Sequence, residues 1–220
     1  NGYCGYPSVT KEELEETVRF CTERNLQLLV HCNGDRAAQA FIDAQLRFGS
    51  PSTRPVMIHA QLLGTDQLDD VRRAGILPSF FVAHVYYWGD VHLSNLGRER
   101  AEKISPLRSA LNKGITFTLH QDSPVVFPDM LETVRCAVTR KTKSGKILGT
   151  DRVLLSELEQ RRQAQNADLT RMGKSGYRQK QKEVSGLSYP ENAALQRCAE
   201  CCRSKPVYRL SPQHPDELVP

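Results

Sequence analysis

Four short apolar runs, each followed by a histidine, most constrain the fold of this 220-residue chain. The histidines that follow the runs are His31, His59, His84 and His120. Runs this short and this apolar are typical of parallel strands that are covered on both faces. Parallel α/β sheets, open or closed, carry their chemistry at the C-terminal ends of the strands. The recurrence therefore predicts parallel strands that deliver polar side chains to one common site.

Helical segments alternate with these predicted strands. Thr10 and Glu13 form a capping box before a helix over 11–24, and Asp35 caps a second helix that ends before Gly49. The predicted order is helix 11–24, strand 26–31, the helix capped by Asp35, strand 55–60, helix about 66–74, strand 77–84, helix about 98–113, strand 115–121 and helix about 129–140.

This alternation gives four β-strand/α-helix units in sequence order. Parallel strands need helical crossovers, which are right-handed, so a doubly wound sheet or part of a (β/α)8 barrel would satisfy the pattern. Candidate functional residues at every strand end favour the barrel. We therefore expect an α/β class, with residues 1–152 forming part of a TIM-like barrel.

The end of the chain differs in composition from the rest. Leu, Ile, Val and Phe account for 12 of the 70 residues from 151 to 220, about 17%, which is the range of chains that cannot build a core. We expect residues 153–220 to form a polar, poorly ordered, flexible tail. A basic module in this tail that contacts phosphates is an alternative, although solvated charge explains the same run of lysines.

Composition also bounds the location and the partners. No window approaches the roughly 20 apolar residues of a membrane span, and no signal peptide is recognisable. Seven cysteines are an odd number without an export signal, which favours reduced thiols and a cytoplasmic protein. A net charge of +5 is too small to indicate nucleic acid. We expect neither a membrane nor a nucleic acid as a partner.

His31 and His59 follow consecutive predicted strands, so their imidazoles should lie side by side. Such a pair can bind one divalent metal, and neutral imidazole suits zinc, whose hydrolytic sites keep one position open for water. The alternative is that both histidines cap strand ends by hydrogen bonding. The residues alone leave both interpretations open.

Asp122 follows the last predicted strand. A carboxylate there can take a proton from an attacking water and return it to a leaving nitrogen. It can equally be a turn aspartate that bonds its own backbone. His84 and Trp88 lie in an aromatic stretch that would line a pocket for an apolar or aromatic substrate group, or pack in the core.

Several motifs, taken in order, resemble those of one enzyme family. They are HCNGDRA (31–37), IHAQ (58–61), PSFFVAHVYYWGD (78–90), QDSP (121–124) and AVTR (137–140). Residues 1–152 resemble the amidohydrolase 3 family of metal-dependent amidohydrolases. The resemblance implies the C-terminal half of a (β/α)8 amidohydrolase barrel that hydrolyses non-peptide carbon–nitrogen bonds in small amides and formamides. By this resemblance His31 and His59 match metal ligands of strands five and six, and Asp122 matches the catalytic aspartate of strand eight.

The chain also departs from the family pattern. The family's His-x-His motif of strand one and its bridging ligand of strand four would precede Asn1, and its small β-domain is not recognisable after Arg152. We expect a homodimer or a companion chain to supply the missing barrel half. The alternative is a catalytically incomplete fragment that needs a partner or is inactive. A frameshift after Arg152 would explain the unrelated end, as would a real tail with its own partner.

Overall fold

The computed structural model describes residues 5–158, 210–211 and 214–218. The chain divides into two compact units, Val9–Asp168 and Asn1–Ser8 together with Leu169–Pro220. The expected flexible tail therefore falls mostly outside the described residues, and so do the lysines of its proposed phosphate-binding module.

Four parallel strands form the sheet of the first unit. Each strand pairs with the next one in the sequence, so the order in the sheet is the order in the chain. A doubly wound sheet reverses its strand order at a switch point, whereas barrel strands follow one another around the sheet. The observed order is therefore that of a barrel segment. The strands are β1 (Leu29–Cys32), β2 (Val56–His59), β3 (Leu77–Phe80) and β4 (Thr118–Leu119).

Helices connect the strands of this sheet. The predicted capping box is present, since Thr10 accepts a hydrogen bond from the Glu13 amide and Glu13 accepts one from the Thr10 amide. The predicted cap at Asp35 is wrong by one position, because Gly34 is the N-cap. None of the described helices has the length and apolar character needed to cross a membrane. The helices are α1 (Lys11–Glu23), α2 (Asp35–Phe48), α3 (Leu68–Arg73), α4 (His84–Ala101), α5 (Leu107–Asn112) and α6 (Met130–Thr139).

The predicted strand 77–84 is wrong in its second half. β3 ends at Phe80, where its pairing with Leu119 of β4 also ends, and His84 is the first residue of α4. A strand continues only while its backbone groups find partners, and β4 is two residues long. His84 is therefore a helix-start residue and not a strand-end residue.

The predicted helix 98–113 is also wrong as a single element. It is split into the end of α4 and the separate α5. Ser105 has a positive φ of 48° and precedes Pro106. The α conformation is disfavoured for a residue before proline, so a continuous helix cannot pass this point.

The core of this unit lies between the helices and the sheet. Phe41 and Ile42 of α2, Met57 of β2 and Phe80 of β3 are fully buried and belong to one apolar cluster. Burying each such side chain contributes about 1.5–3 kcal/mol. This packing fixes the strand ends relative to one another, which positions the polar residues that follow them.

In the second unit the structure describes one antiparallel pair. β5 (Leu210–Ser211) pairs with β6 (His214–Leu218).

Candidate metal centre

Three histidines meet at the C-terminal ends of the strands. The ring centroids of His31 and His59 are 4.4 Å apart, and those of His59 and His120 are 5.0 Å apart. Nε2 of His120 lies 3.1 Å from Nδ1 of His59. His59 is 4% exposed and lies between the other two rings. Parallel strands in sequence order thus bring together three of the four histidines that follow the apolar runs.

Asp122 joins this cluster from the segment after β4. The ligand atoms of His59, His120 and Asp122 all lie within 4.8 Å of one another. Two imidazoles and a carboxylate are the donor types that zinc and other divalent transition metals take in proteins. The residues therefore fit a divalent metal, with His31 adjacent to the set.

The backbone is strained where it delivers these side chains. His59, Ala60 and Asp122 have positive φ values of 71°, 47° and 52°. Such a conformation costs a non-glycine residue about 1–3 kcal/mol and concentrates at functional sites. His59 and Asp122, two of the three residues whose ligand atoms converge, therefore carry this backbone strain.

Neighbouring hydroxyl groups orient His120. Its Nδ1 lies 2.9 Å from Oγ of Ser79, and the Thr118 hydroxyl donates to the same Ser79 oxygen over 2.9 Å. Burial lowers the pKa of His120, while Asp122 raises it less. Metal-binding histidines usually bond a polar group through their second nitrogen, as His120 does here.

His120 was expected at the end of the predicted strand 115–121, among the polar side chains of the common site, without a specific role. The signal in the sequence is that His120 follows the same apolar run as Asp122, so both side chains belong to the C-terminal end of one strand. Cys32, between His31 and Asn33, is a different case. It is 1% exposed, its pKa is raised by burial to about 12, and its Sγ donates to the carbonyl of Ala37. Cys32 is therefore a packed thiol.

His84 and Trp88 lie beside the histidine cluster on an aromatic wall. The ring centroids of His84 and Trp88 are 4.9 Å apart, and Phe81 lies 4.6 Å from His84 and 5.5 Å from His120. Burial, followed by the charges of His92 and His120, lowers the pKa of His84 to about 3. Its imidazole is therefore neutral at neutral pH. Substrate binding by His84 and Trp88 remains a prediction.

His92 is a further residue that the sequence analysis missed. Its Nε2 lies 2.8 Å from the amide nitrogen of Gln61 and 3.4 Å from Nδ1 of His84. His84, Trp88 and His92 follow one another at intervals of four residues, which places them on one helix face. The four-residue spacing of His84, Trp88 and His92 predicts that they are neighbours only when residues 84–101 are recognised as a helix.

A cavity of about 370 Å³ lies next to the start of α2. Asp35, Gly64 and Arg100 are among its lining residues, and Arg100 pairs with Asp35 over 2.9 Å. None of the clustered histidines lines it. The cavity and the candidate metal centre are therefore separate features of the first unit.

The parallel β/α sheet with imidazoles and a carboxylate at its strand ends places the chain in the class of (β/α) barrel segments with a candidate metal centre. Within this class the chain belongs to the amidohydrolase family, whose model matches residues 1–170. The resemblance found in the sequence motifs is thereby confirmed. No curated protein matches the sequence.

Two solved structures share the fold. One is an uncharacterized metal-dependent hydrolase from Pyrococcus horikoshii, 24% identical with a TM-score of 0.58, over 67% of this chain and 29% of that chain. The other is an uncharacterized metal-dependent hydrolase from Pyrococcus furiosus. It is 23% identical with a TM-score of 0.59, and the match covers 70% of this chain and 31% of that chain. The chain thus spans about 30% of the length of these relatives. The expected fold class, part of a TIM-like amidohydrolase barrel, is confirmed.

Proposed function

We propose that this chain is the metal-binding part of a zinc-dependent hydrolase that cleaves carbon–nitrogen bonds in small amides, formamides included. The observation that carries the proposal is the convergence of His59, His120 and Asp122 within 4.8 Å. Membership of the amidohydrolase family supports hydrolysis. The sequence motifs, by their resemblance, support amide substrates.

His31 and His59 are the proposed metal ligands, and His120 lies on the other side of His59. His59 is the central ligand because its ring contacts both other histidines. A bound zinc ion would supply Lewis acidity toward the carbonyl oxygen of the substrate.

Asp122 is the proposed general base and general acid. Its carboxylate is exposed, so that water can reach it. It takes one proton from water as the water oxygen bonds to the amide carbon, and it returns that proton to the nitrogen as the carbon–nitrogen bond breaks. The products are a carboxylic acid and an amine, and Asp122 ends in its starting state.

His84 and Trp88 are the proposed contacts for the substrate side group, and the buried Phe81 packs against both of them to complete an aromatic wall. These rings lie within 4.6–6.1 Å of one another and begin 5.5 Å from His120. Aromatic pairs at such distances favour an apolar or aromatic group.

We also propose that a second polypeptide, either another copy or a companion chain, pairs with the open edges of the sheet. Among the described strands, β1 pairs with β2 alone and β4 with β3 alone, which leaves one edge of each unpaired. Light scattering after size exclusion should give a dimer or a heteromer. A monomer at high concentration would contradict this part of the proposal. A cytoplasmic location is proposed with it, supported by the free thiols of Cys21, Cys32 and Cys136.

The activity is tested by comparing wild type with His59→Ala after zinc loading, using N-substituted formamides and NMR detection of formate. Thr133→Ala is the matched control, because it also removes a buried polar side chain but lies in α6. We expect His59→Ala to lose at least about 100-fold in kcat/KM, since even outer-shell changes cost 10–100-fold. Equal turnover by wild type and His59→Ala, or none by zinc-loaded wild type, would overturn the proposal.

A further inference from the structure

Three side chains outside the proposed metal ligands form a hydrogen-bonded chain. The amide nitrogen of Gln61 lies 2.8 Å from Nε2 of His92, which lies 3.4 Å from Nδ1 of His84. Gln61 is 6% exposed and follows β2, whereas both histidines belong to α4. These hydrogen bonds therefore connect the strand end that carries His59 with the aromatic wall.

The direction of these hydrogen bonds follows from the donor at Gln61. An amide nitrogen carries hydrogens and no free lone pair, so it can only donate. Nε2 of His92 must then be an unprotonated acceptor, and Nδ1 of His84 can approach it only as a donor. A lone pair shared by two donors explains why the second distance, 3.4 Å, is longer than the first. A neutral His84 with its proton on Nδ1 keeps a lone pair on Nε2.

The remaining nitrogen of His84, Nε2, is an acceptor that these hydrogen bonds do not use. Nε2 of His84 has no hydrogen-bond partner among the described residues. In the same part of the chain, Ser105 Oγ is the one fully buried side-chain nitrogen or oxygen that lacks a partner. Nε2 of His84 is therefore open to a ligand, next to the rings of Phe81 and Trp88.

We propose that Gln61 and His92 are positioning residues that hold His84 in the Nδ1–H form, so that its Nε2 accepts a hydrogen bond from an N–H group of the substrate. This inference rests on the proposed amide hydrolase function and specifies its substrates. The preferred substrates are amides that retain an N–H, with the nitrogen substituent against the aromatic wall. Fully N-substituted amides lack this donor, so they would cover Nε2 of His84 and leave it unpaired.

The tautomer is measured directly by long-range ¹H–¹⁵N NMR of the full chain labelled with [¹⁵N]histidine. We expect His84 and His92 each to show a protonated Nδ1 and a pyridine-type Nε2. A protonated Nε2 on His84 would overturn the proposal. The measurement needs neither zinc nor turnover, so its result is independent of whether the amidase activity exists.

Gln61→Glu tests the role of Gln61 with little change in shape. A carboxylate accepts and does not donate, so it draws the proton of His92 to Nε2. Nδ1 of His84 then becomes the acceptor, and we expect the His84 proton to move to Nε2. Gln27→Glu is the charge-matched control, because Gln27 is exposed and bonds the carbonyl of Arg54 instead. An unchanged His84 spectrum in Gln61→Glu would contradict the proposed positioning.

The substrate preference is tested by the ratio of kcat/KM for an N-monosubstituted formamide to that for its N-methylated analogue. We expect wild type and Gln27→Glu to favour the first substrate, and Gln61→Glu to lower the ratio by about 10-fold or more. Equal ratios in all three proteins would overturn the assigned substrate class, while leaving the hydrolase proposal intact.

Discussion

His59 combines near-complete burial with a left-handed backbone, and the site depends on both properties. Its φ of 71° ends the regular strand, and its ring lies between those of His31 and His120. A conformation that costs about 1–3 kcal/mol persists only where surrounding packing holds it. The fully buried neighbours Met57 and Ala60 belong to the core cluster that provides this packing.

At the residue scale, Asp122→Asn separates proton transfer from metal binding. An amide has nearly the same shape as the carboxylate but cannot accept and return a proton at neutral pH. We expect kcat to fall by about 10²–10⁴-fold. Zinc bound per chain, measured by mass spectrometry of the metal content, should stay close to the wild-type value, because the imidazoles of His31, His59 and His120 remain and the amide oxygen of the variant can still face the metal. A kcat within a factor of two of wild type would exclude Asp122 as the general base.

His84 should make stability depend on pH. Burial, His92 and His120 hold its folded-state pKa at about 3, well below the ordinary value of 6.5. As the pH falls below 6.5, the unfolded chain therefore takes up this proton first, and stability is lost progressively toward pH 3.

The pH effect is measured by chemical denaturation in a chelator at about pH 7 and about pH 5. We expect wild type to lose about 2 kcal/mol more than His84→Gln across this interval, at roughly 1.4 kcal/mol per pH unit. Identical losses in the two proteins would show that His84 is not the group responsible.

At the element scale, α4 shows where sequence patterns stop being informative. Residues 81–88 are β-branched or aromatic over much of their length, a composition that favours strands when packing is unknown. Pairing with the short β4 ends at Phe80, so the next residues turn and form a helix despite this preference. His31 and His59 could be paired from sequence because strand ends of a parallel sheet converge. The contact of His92 with His84 could not, because it depends on recognising this helix.

Arg140 links α6 to the segment between α4 and α5. Its fully buried guanidinium donates to the carbonyls of Glu102, Ile104, Ser105 and Leu148, over distances of 2.6–3.4 Å. Burial lowers the pKa of Arg140 to about 10, which still leaves it charged at neutral pH. We expect Arg140→Leu to reduce the free energy of unfolding by at least about 2 kcal/mol, because several buried carbonyls lose their donor.

The control for Arg140 is Arg47→Leu. Arg47 has a side chain that is 64% exposed and pairs with Glu15 over 3.5 Å, so its loss should cost under about 1 kcal/mol. Denaturant midpoints of the two variants provide the comparison. Equal midpoints would show that the buried hydrogen bonds of Arg140 add nothing to stability.

At the scale of the whole molecule, the strand order β1-β2-β3-β4 connects the sequence to the site. Each β/α unit adds one strand beside the last, so residues about 28 to 60 positions apart meet at one end of the sheet. This repeat could be predicted from apolar runs and helix caps. The lengths of the strands could not, because they depend on where each backbone finds a partner, as the two residues of β4 show.

A metal site at the strand ends of this sheet underlies every function proposed for the chain. Calorimetric titration of the metal-free full chain with zinc tests it most directly, comparing wild type, His59→Ala and the control Thr133→Ala. We expect stoichiometric binding by wild type and Thr133→Ala, and a loss of at least about 100-fold in affinity for His59→Ala. Binding of zinc by His59→Ala with wild-type stoichiometry and affinity would contradict it.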